Sequence, residues 1–271
     1  MTRLTNMHWT YGCPRAILRV ESKGATEEMQ LDTLVTWAVI MVGAMVQGLT
    51  GVGFALVSVP ILVTYQDAKS VIVTTLILSS VLNALILFQA RAQISLRDAA
   101  PMTFGSLLGV PFGSYLLTVI SPSYLKELVA LLVLLLAVPL LLGYTSRIRR
   151  HQRAASIITG AVSGALQSST SMGSPPVVLF MANQGIPKEA FRATLVLRSM
   201  AASVLSVVAL VPSGLIDPAL ATHALLLTPA MLLGFIVGSH LLRRVPQRIF
   251  KKLTILVVVA AALASLASTL L

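Results

Sequence analysis

Charge is what this sequence has least of. Only 11% of its 271 residues are charged, against roughly 25% in an average soluble domain. Hydrophobic residues make up 56% of the chain, and its mean hydropathy is +0.89. So few charged residues could not cover an apolar core from water, which excludes an ordinary soluble domain. The composition instead favours the lipid bilayer as the protein's solvent.

Cysteine and acidic residues are also scarce. The one cysteine, Cys13, excludes an internal disulfide framework and a cysteine-rich metal site, and we expect neither a metal nor a cofactor. A cation pathway or a carboxylate proton relay normally needs an acid at membrane depth. The acids beyond Thr33 all lie in predicted loops or at segment ends, which disfavours both mechanisms: Asp67, Asp98, Glu127, Glu189 and Asp217.

Long apolar runs are what the sequence has in their place. A helix needs about 20 predominantly apolar residues to span the hydrocarbon core. Runs of about that length cover 70–90, 100–120, 125–144, 190–211, 219–242 and 250–271. They predict an all-α integral membrane protein. Residues 1–30 are a polar tail without the apolar core of a signal peptide, and we expect this tail to be disordered, or untranslated with Met29 as the start.

The net charge of +11 does not indicate a nucleic-acid partner, because the basic residues fall mostly in short loops. Such loops are typical of the cytoplasmic side of a membrane protein. Loops 119–124 and 212–218 are then predicted to lie outside. The loops predicted to be cytoplasmic are 91–97, the linker 146–153, the loop with Lys188 and Arg192, and 243–249.

The chain also repeats itself. Three blocks recur in the same order: 46–63 in 163–180, 67–80 in 186–199, and 105–114 in 230–239. These blocks pair Gly48 with Gly164, Pro60 with Pro176, Thr75 with Thr194, Gly109 with Gly234, and Gly113 with Gly238. We therefore predict two membrane repeats, 31–145 and 154–271, joined by the linker 146–153.

Each repeat is predicted to have five segments, of which the first two are short and meet at a Gly- and Ser-rich elbow, 47–53 or 167–173. Loop 119–124 is predicted outside, whereas its repeat partner 243–249 is predicted inside. The two repeats should therefore be inverted relative to each other. Inverted repeats with broken or re-entrant helices are an architecture of secondary transporters.

The elbows are the first candidate for a binding site. Glycine frees the backbone to turn, and the helix that follows starts with N–H groups that attract anions. The alternative is that the glycines only allow close helix packing and that the serines bond to backbone carbonyls. The candidate substrate-binding residues in the elbows are Gln47, Gly48, Gly51, Gly53, Gln167, Ser168, Ser169 and Gly173.

Arg198 is the second candidate, because it lies about 12 Å along the helix that starts at Ala190. Its side chain either extends to the membrane interface or to backbone carbonyls, or it holds an anion or shapes the anion site. We favour a role in the anion site. Asn83 either lines the pathway or forms a hydrogen bond between helices, and both readings stay open.

A Gly-rich elbow, a short helix with proline and a loop with a basic residue, all occurring twice, resemble the TauE/SafE family of sulfite exporters. The resemblance covers 33–271 and is strongest at 43–63 and 160–199. It implies a multi-pass permease of the bacterial inner membrane for sulfite, sulfonates or related organic anions. Ser168, Ser169 and Ser171 stand where family members often have glycine, which leaves the anion undetermined.

We therefore predict a transporter that moves small anions by alternating access. Its partners would be a small anionic substrate and the lipid bilayer, with no nucleic acid and with homo-oligomerisation left open. The alternative is a membrane-embedded enzyme or an assembly factor. Membrane enzymes usually carry several carboxylates or histidines together at an interface, and the sequence has no such cluster.

Overall fold

The computed structural model describes residues 15–91, 96–121, 152–181 and 187–242, and the single residues 124, 127, 131, 246 and 256. Within these residues the regular elements are all helices. They are α1 (Arg15–Thr50), α2 (Phe54–Leu62), α3 (Ala68–Ala90), α4 (Leu96–Val119), α5 (Gln152–Thr170), α6 (Ser174–Met181), α7 (Lys188–Leu210) and α8 (Pro218–Leu242). A short 3₁₀ turn, Val211–Ser213, follows α7.

Several predictions concern residues outside this description. The segments 125–144 and 250–271, the tail residues 1–14 and the linker residues 146–151 belong to that group, apart from single positions. Helix α1 begins at Arg15, within the tail for which the sequence predicts no ordered structure. The chain divides within α1 into two compact units, Met1–Thr36 and Trp37–Leu271, and the packing described below concerns the second unit.

Five helical stretches are long and apolar enough to cross a membrane. These spans are Asp32–Thr50, Ala68–Ala90, Ala99–Val119, Glu189–Ser213 and Pro218–Leu242. They confirm the prediction of an all-α membrane protein for the described part of the chain.

In the first unit, Thr36 Oγ1 donates a hydrogen bond of 2.8 Å to the Asp32 carbonyl, one turn back along the same helix.

Three pairs of helices match at a constant spacing of 120 residues. Helices α1 and α5 end at Thr50 and Thr170, α2 and α6 begin at Phe54 and Ser174, and α3 and α7 cover equivalent ranges. The sequence of buried, half-buried and exposed positions along 71–90 recurs along 191–210, with a difference only at Val81 and Ala201.

This spacing changes some of the pairs that sequence similarity suggests. Gly48 corresponds to Ser168 rather than to Gly164, and Thr75 corresponds to Leu195 rather than to Thr194. Pro60 lies inside α2, whereas Pro175 and Pro176 lie in the first turn of α6. The first two sequence blocks were shifted by one to four residues because identical residues were aligned in place of equivalent turns.

Close glycine contacts join each half to the other. A Cβ added at Gly109 of α4 would collide with the Ala161 carbonyl of α5, and one added at Gly234 of α8 would collide with the Met41 carbonyl of α1. Met41 and Ala161 are themselves equivalent at the 120-residue spacing. The fourth helix of each half thus packs against the first helix of the other half, where small residues let the two backbones approach.

Candidate functional site

The two elbows break their helices in the same way. The backbone turns at Gly51, with φ of 80°, and at Ser171, with φ of 62°. The threonine just before each turn stabilises it: Thr50 Oγ1 accepts from the Val52 amide and Thr170 Oγ1 accepts from the Met172 amide, both at 3.3 Å. Each elbow is therefore a defined, hydrogen-bonded structure.

A glutamine crosses each elbow. Gln47 Oε1 accepts from the Phe54 amide at 3.1 Å, and its Nε2 donates to Asn83 Oδ1 at 2.7 Å. In the second half Gln167 Oε1 accepts from the Gly173 amide at 3.2 Å, and its Nε2 donates to Ser203 Oγ at 3.0 Å. Each glutamine thus ties the start of the short helix to the long helix after it, α3 or α7.

The two elbows meet around one small cavity, which has room for about one water molecule in this conformation. Among the described residues that line it, none is acidic. Gln47 and Gln167 line it together, as do Ser79 and Ser199, and both pairs are equivalent at the 120-residue spacing. The remaining lining residues are Gly53, Ala55, Leu56, Asn83, Ser171, Met172 and Ser174.

Arg198 contacts this lining through Ser199. Its side chain is fully buried, and its Nη2 donates to Ser199 Oγ at 2.8 Å. Its Nε and Nη1 have no hydrogen-bond partner within the described structure. The guanidinium is a planar cation with donors suited to oxyanions, so Arg198 is a buried positive charge with unused donors next to a polar cavity.

Arg192 was predicted in a loop, and that prediction is wrong. Arg192 lies within α7 and is buried, and its Nη2 donates to the Gly48 carbonyl at 2.8 Å. That carbonyl belongs to the last turn of α1, where unpaired carbonyls and the helix dipole favour a cation. Pro187 just before α7 and Glu189 in its first turn are the sequence signals that place Arg192 inside a helix.

The ten candidate residues fall into two groups. Four of them line the cavity: Gln47, Gly53, Asn83 and Gln167. The other six lie outside the lining. Gly48 packs against α8, Gly51 against Arg192 and Gly173 against Gln167, Arg198 lies behind Ser199, and the hydroxyls of Ser168 and Ser169 donate to the carbonyls of Val110 and Ala165.

Four serines that line the cavity are not among the candidate residues predicted from the sequence: Ser79, Ser171, Ser174 and Ser199. Aligning the two elbows from their shared glutamine would have placed Ser171 opposite Gly51. It would also have paired Ser79 with Ser199. Nothing in the sequence distinguishes these four serines from the serines whose hydroxyls bond to backbone carbonyls.

The elbows differ in the hydrogen-bond donors they bring to the cavity. Ala55 and Leu56 lie in the first turn of α2 and line the cavity, and such N–H groups have no partner within the helix. The equivalent residues of α6 are Pro175 and Pro176, which have no N–H. The start of α2 thus has two backbone amides that the start of α6 lacks, whereas the second elbow adds the Ser171 hydroxyl.

Apolar helices that could span a bilayer, two equivalent broken-helix elbows and a shared polar cavity define a multi-pass membrane transporter. The family model described as sulfite exporter TauE/SafE matches residues 36–265. The chain therefore belongs to the TauE/SafE family, which is a family of membrane transporters, and the resemblance seen in the sequence is confirmed. No curated protein and no solved structure gives a significant match to the chain.

Proposed function

We propose that this protein carries small anions, such as sulfite, sulfonates or related organic anions, across the bacterial inner membrane by alternating access. The observation that carries the proposal is the buried guanidinium of Arg198. It has two nitrogens without partners and lies next to a cavity with no acidic residue among its described lining.

The cost of burying this charge supports an anion as its partner. Inserting an arginine at membrane depth costs at least about 2.5 kcal/mol, and an unpaired buried charge destabilises the fold further. Ser199 is neutral and offsets only part of that cost. An oxyanion next to Ser199 would supply the opposite charge and accept the unused guanidinium hydrogens.

The small size of the cavity supports a conformational change. Sulfite and the simplest sulfonates are larger than the single water molecule that fits there. The site must therefore widen before it binds its substrate. Two halves with equivalent elbows could exchange conformations, opening the site to one side of the membrane and then to the other, if the halves are inverted as the loop charges predict.

Transport into vesicles tests the proposal. Purified protein in liposomes is expected to take up sulfite, sulfoacetate or acetate along a concentration gradient. Arg198→Gln should abolish uptake, whereas Arg198→Lys should retain part of it, because lysine cannot offer parallel donors to an oxyanion. Ser206→Ala is the matched control, since Ser206 is buried on the same helix and bonds only to the Ala202 carbonyl.

Two results would contradict the proposal. One is a parent protein that is folded in liposomes and moves none of these anions. The other is a folded Arg198→Gln variant that transports at the parental rate. If Arg198→Gln fails to fold and any surviving protein transports normally, the arginine is structural and the anion site lies elsewhere.

A further inference from the structure

Ser171 is in an unusual backbone conformation for its residue type. Its φ of 62° lies in the left-handed region, which strains any residue with a side chain and which glycine adopts freely. It is the one non-glycine residue with positive φ in the part of the chain described by the structure. The equivalent position in the first elbow is Gly51, so the fold itself does not require a side chain there.

The Ser171 hydroxyl is also buried without a partner. Ser171 is 3% exposed and lines the cavity, and its Oγ makes no hydrogen bond in the described structure. The neighbouring Ser168 and Ser169 hydroxyls instead donate to the carbonyls of Val110 and Ala165. Buried hydroxyls are normally paired, so a strained residue with an unpaired hydroxyl in a binding cavity indicates a ligand contact.

The first elbow has no room for an equivalent side chain. A Cβ added at Gly51 would lie 2.7 Å from Cγ of Arg192. The position of α3 that corresponds to Arg192 is Ile72. Because Arg192 fills the space beside the first elbow, a hydroxyl donor at this turn is available only in the second half.

Other residues with hydrogen-bond donors line the same cavity. Ser199 Oγ accepts from Arg198, so the Ser199 hydroxyl hydrogen remains available to donate. Ala55 and Leu56, whose amides lie in the first turn of α2, also line the cavity. Donors therefore come from three elements: the second elbow, α7 and the start of α2.

We propose that Ser171 donates a hydrogen bond to the transported anion and selects headgroups with three oxygens, sulfonate or sulfite, over carboxylates. This inference rests on the proposed function. A sulfonate has three oxygens, one for the donors of each of the three elements, whereas a carboxylate has only two. Loss of the Ser171 hydroxyl should therefore weaken sulfonate binding more than carboxylate binding.

Methanesulfonate and acetate are the matched probes, because both carry one negative charge and one methyl group. Their dissociation constants are measured by calorimetry on the purified full-length protein, for the parent and for Ser171→Gly, Ser171→Ala and Ser206→Ala. Loss of one hydrogen bond to a charged ligand should weaken methanesulfonate binding by about tenfold or more. Acetate binding should change by a clearly smaller factor in both Ser171 variants and stay at the parental value in Ser206→Ala.

Thermal unfolding separates this role from a structural one. Ser171→Gly removes backbone strain and should unfold at the parental temperature or above, while Ser171→Ala keeps the strain and should gain nothing. If Ser171 contacts the ligand, Ser171→Gly should bind methanesulfonate more weakly and still be at least as stable as the parent. A structural serine would lower the unfolding temperature and leave both dissociation constants unchanged.

The outcomes are distinguishable. If the parent binds methanesulfonate, Arg198→Gln abolishes binding and the Ser171 variants keep the parental preference for methanesulfonate over acetate, only this inference is wrong. Equal weakening of both probes also overturns it. If the parent binds neither probe but transports sulfite into liposomes, this inference fails and the proposed function stands. If it neither binds the probes nor transports sulfite, both fail.

Discussion

Gln47 Nε2 donates to Asn83 Oδ1 at 2.7 Å, and Gln167 Nε2 makes the equivalent bond to Ser203 Oγ at 3.0 Å. Both bonds join residues 36 apart in the chain. The acceptors differ between the two halves, but each fixes the side chain of the glutamine that crosses an elbow. The position of the glutamine, rather than the identity of its acceptor, is the common feature.

Gln47→Ala is expected to destabilise the protein. It leaves the Phe54 amide and Asn83 Oδ1 without their partner, and each unsatisfied buried group costs about 1–3 kcal/mol. Asn83→Ser copies the acceptor of the second half and should cost less. Thermal unfolding of both variants in detergent checks the order. A Gln47→Ala protein as stable as the parent would show that the glutamine does not hold the elbow.

Gly51→Ala should be more harmful than Gly214→Ala. Both glycines have positive φ, 80° and 70°, so both substitutions carry a strain of about 1–2 kcal/mol. An added Cβ at Gly51 lies 2.7 Å from Arg192 Cγ, whereas at Gly214 it meets nothing within 4 Å. The difference in free energy of unfolding between the two variants measures the contact with Arg192. Equal losses would mean that Arg192 moves away at little cost.

The two buried arginines should respond to glutamine in opposite ways. Arg192→Gln loses the bond to the Gly48 carbonyl and should cost about 1.5–3 kcal/mol of stability, the value of a hydrogen bond to a charged group. Arg198→Gln removes a buried charge with two unpaired nitrogens and should leave the ligand-free protein as stable or more stable. Thermal unfolding without added anion makes the comparison. The assignment of roles is reversed if Arg198→Gln is the less stable variant.

Reporter fusions test the inverted arrangement. The loop charges predict that the linker 146–153 and loop 243–249 are cytoplasmic, and that loop 212–218 and the C-terminus are outside. Fusions with a cytoplasm-active and a periplasm-active reporter at each position should give opposite signals. A cytoplasmic C-terminus contradicts the inversion, because the two halves would then have the same orientation.

Much of the fold could be predicted from the sequence, because hydropathy and helix-breaking residues act locally. The long segments at 70–90, 190–211 and 219–242 correspond to α3, α7 and α8 to within a few residues. The turns at Gly51 and Ser171 fall inside the predicted elbows. The register of the repeat was less accurate, because short stretches of identical residues can be aligned at several spacings and only the helix ends and hydrogen bonds distinguish them.

The sequence by itself predicted that the chain is a membrane protein, that it repeats, that the helix is broken near the start of each half, and that Arg198 has no acid close to it along the same apolar segment. Each of these follows from composition or from residues close together in the chain. The tertiary structure alone decided that Arg192 reaches the Gly48 carbonyl, 144 residues away, and that Ser171 lines the cavity while Ser168 and Ser169 bond to backbone carbonyls. A serine has the same hydropathy in either place, and only the packing of distant helices determines which hydroxyl has a hydrogen-bond partner and which has none.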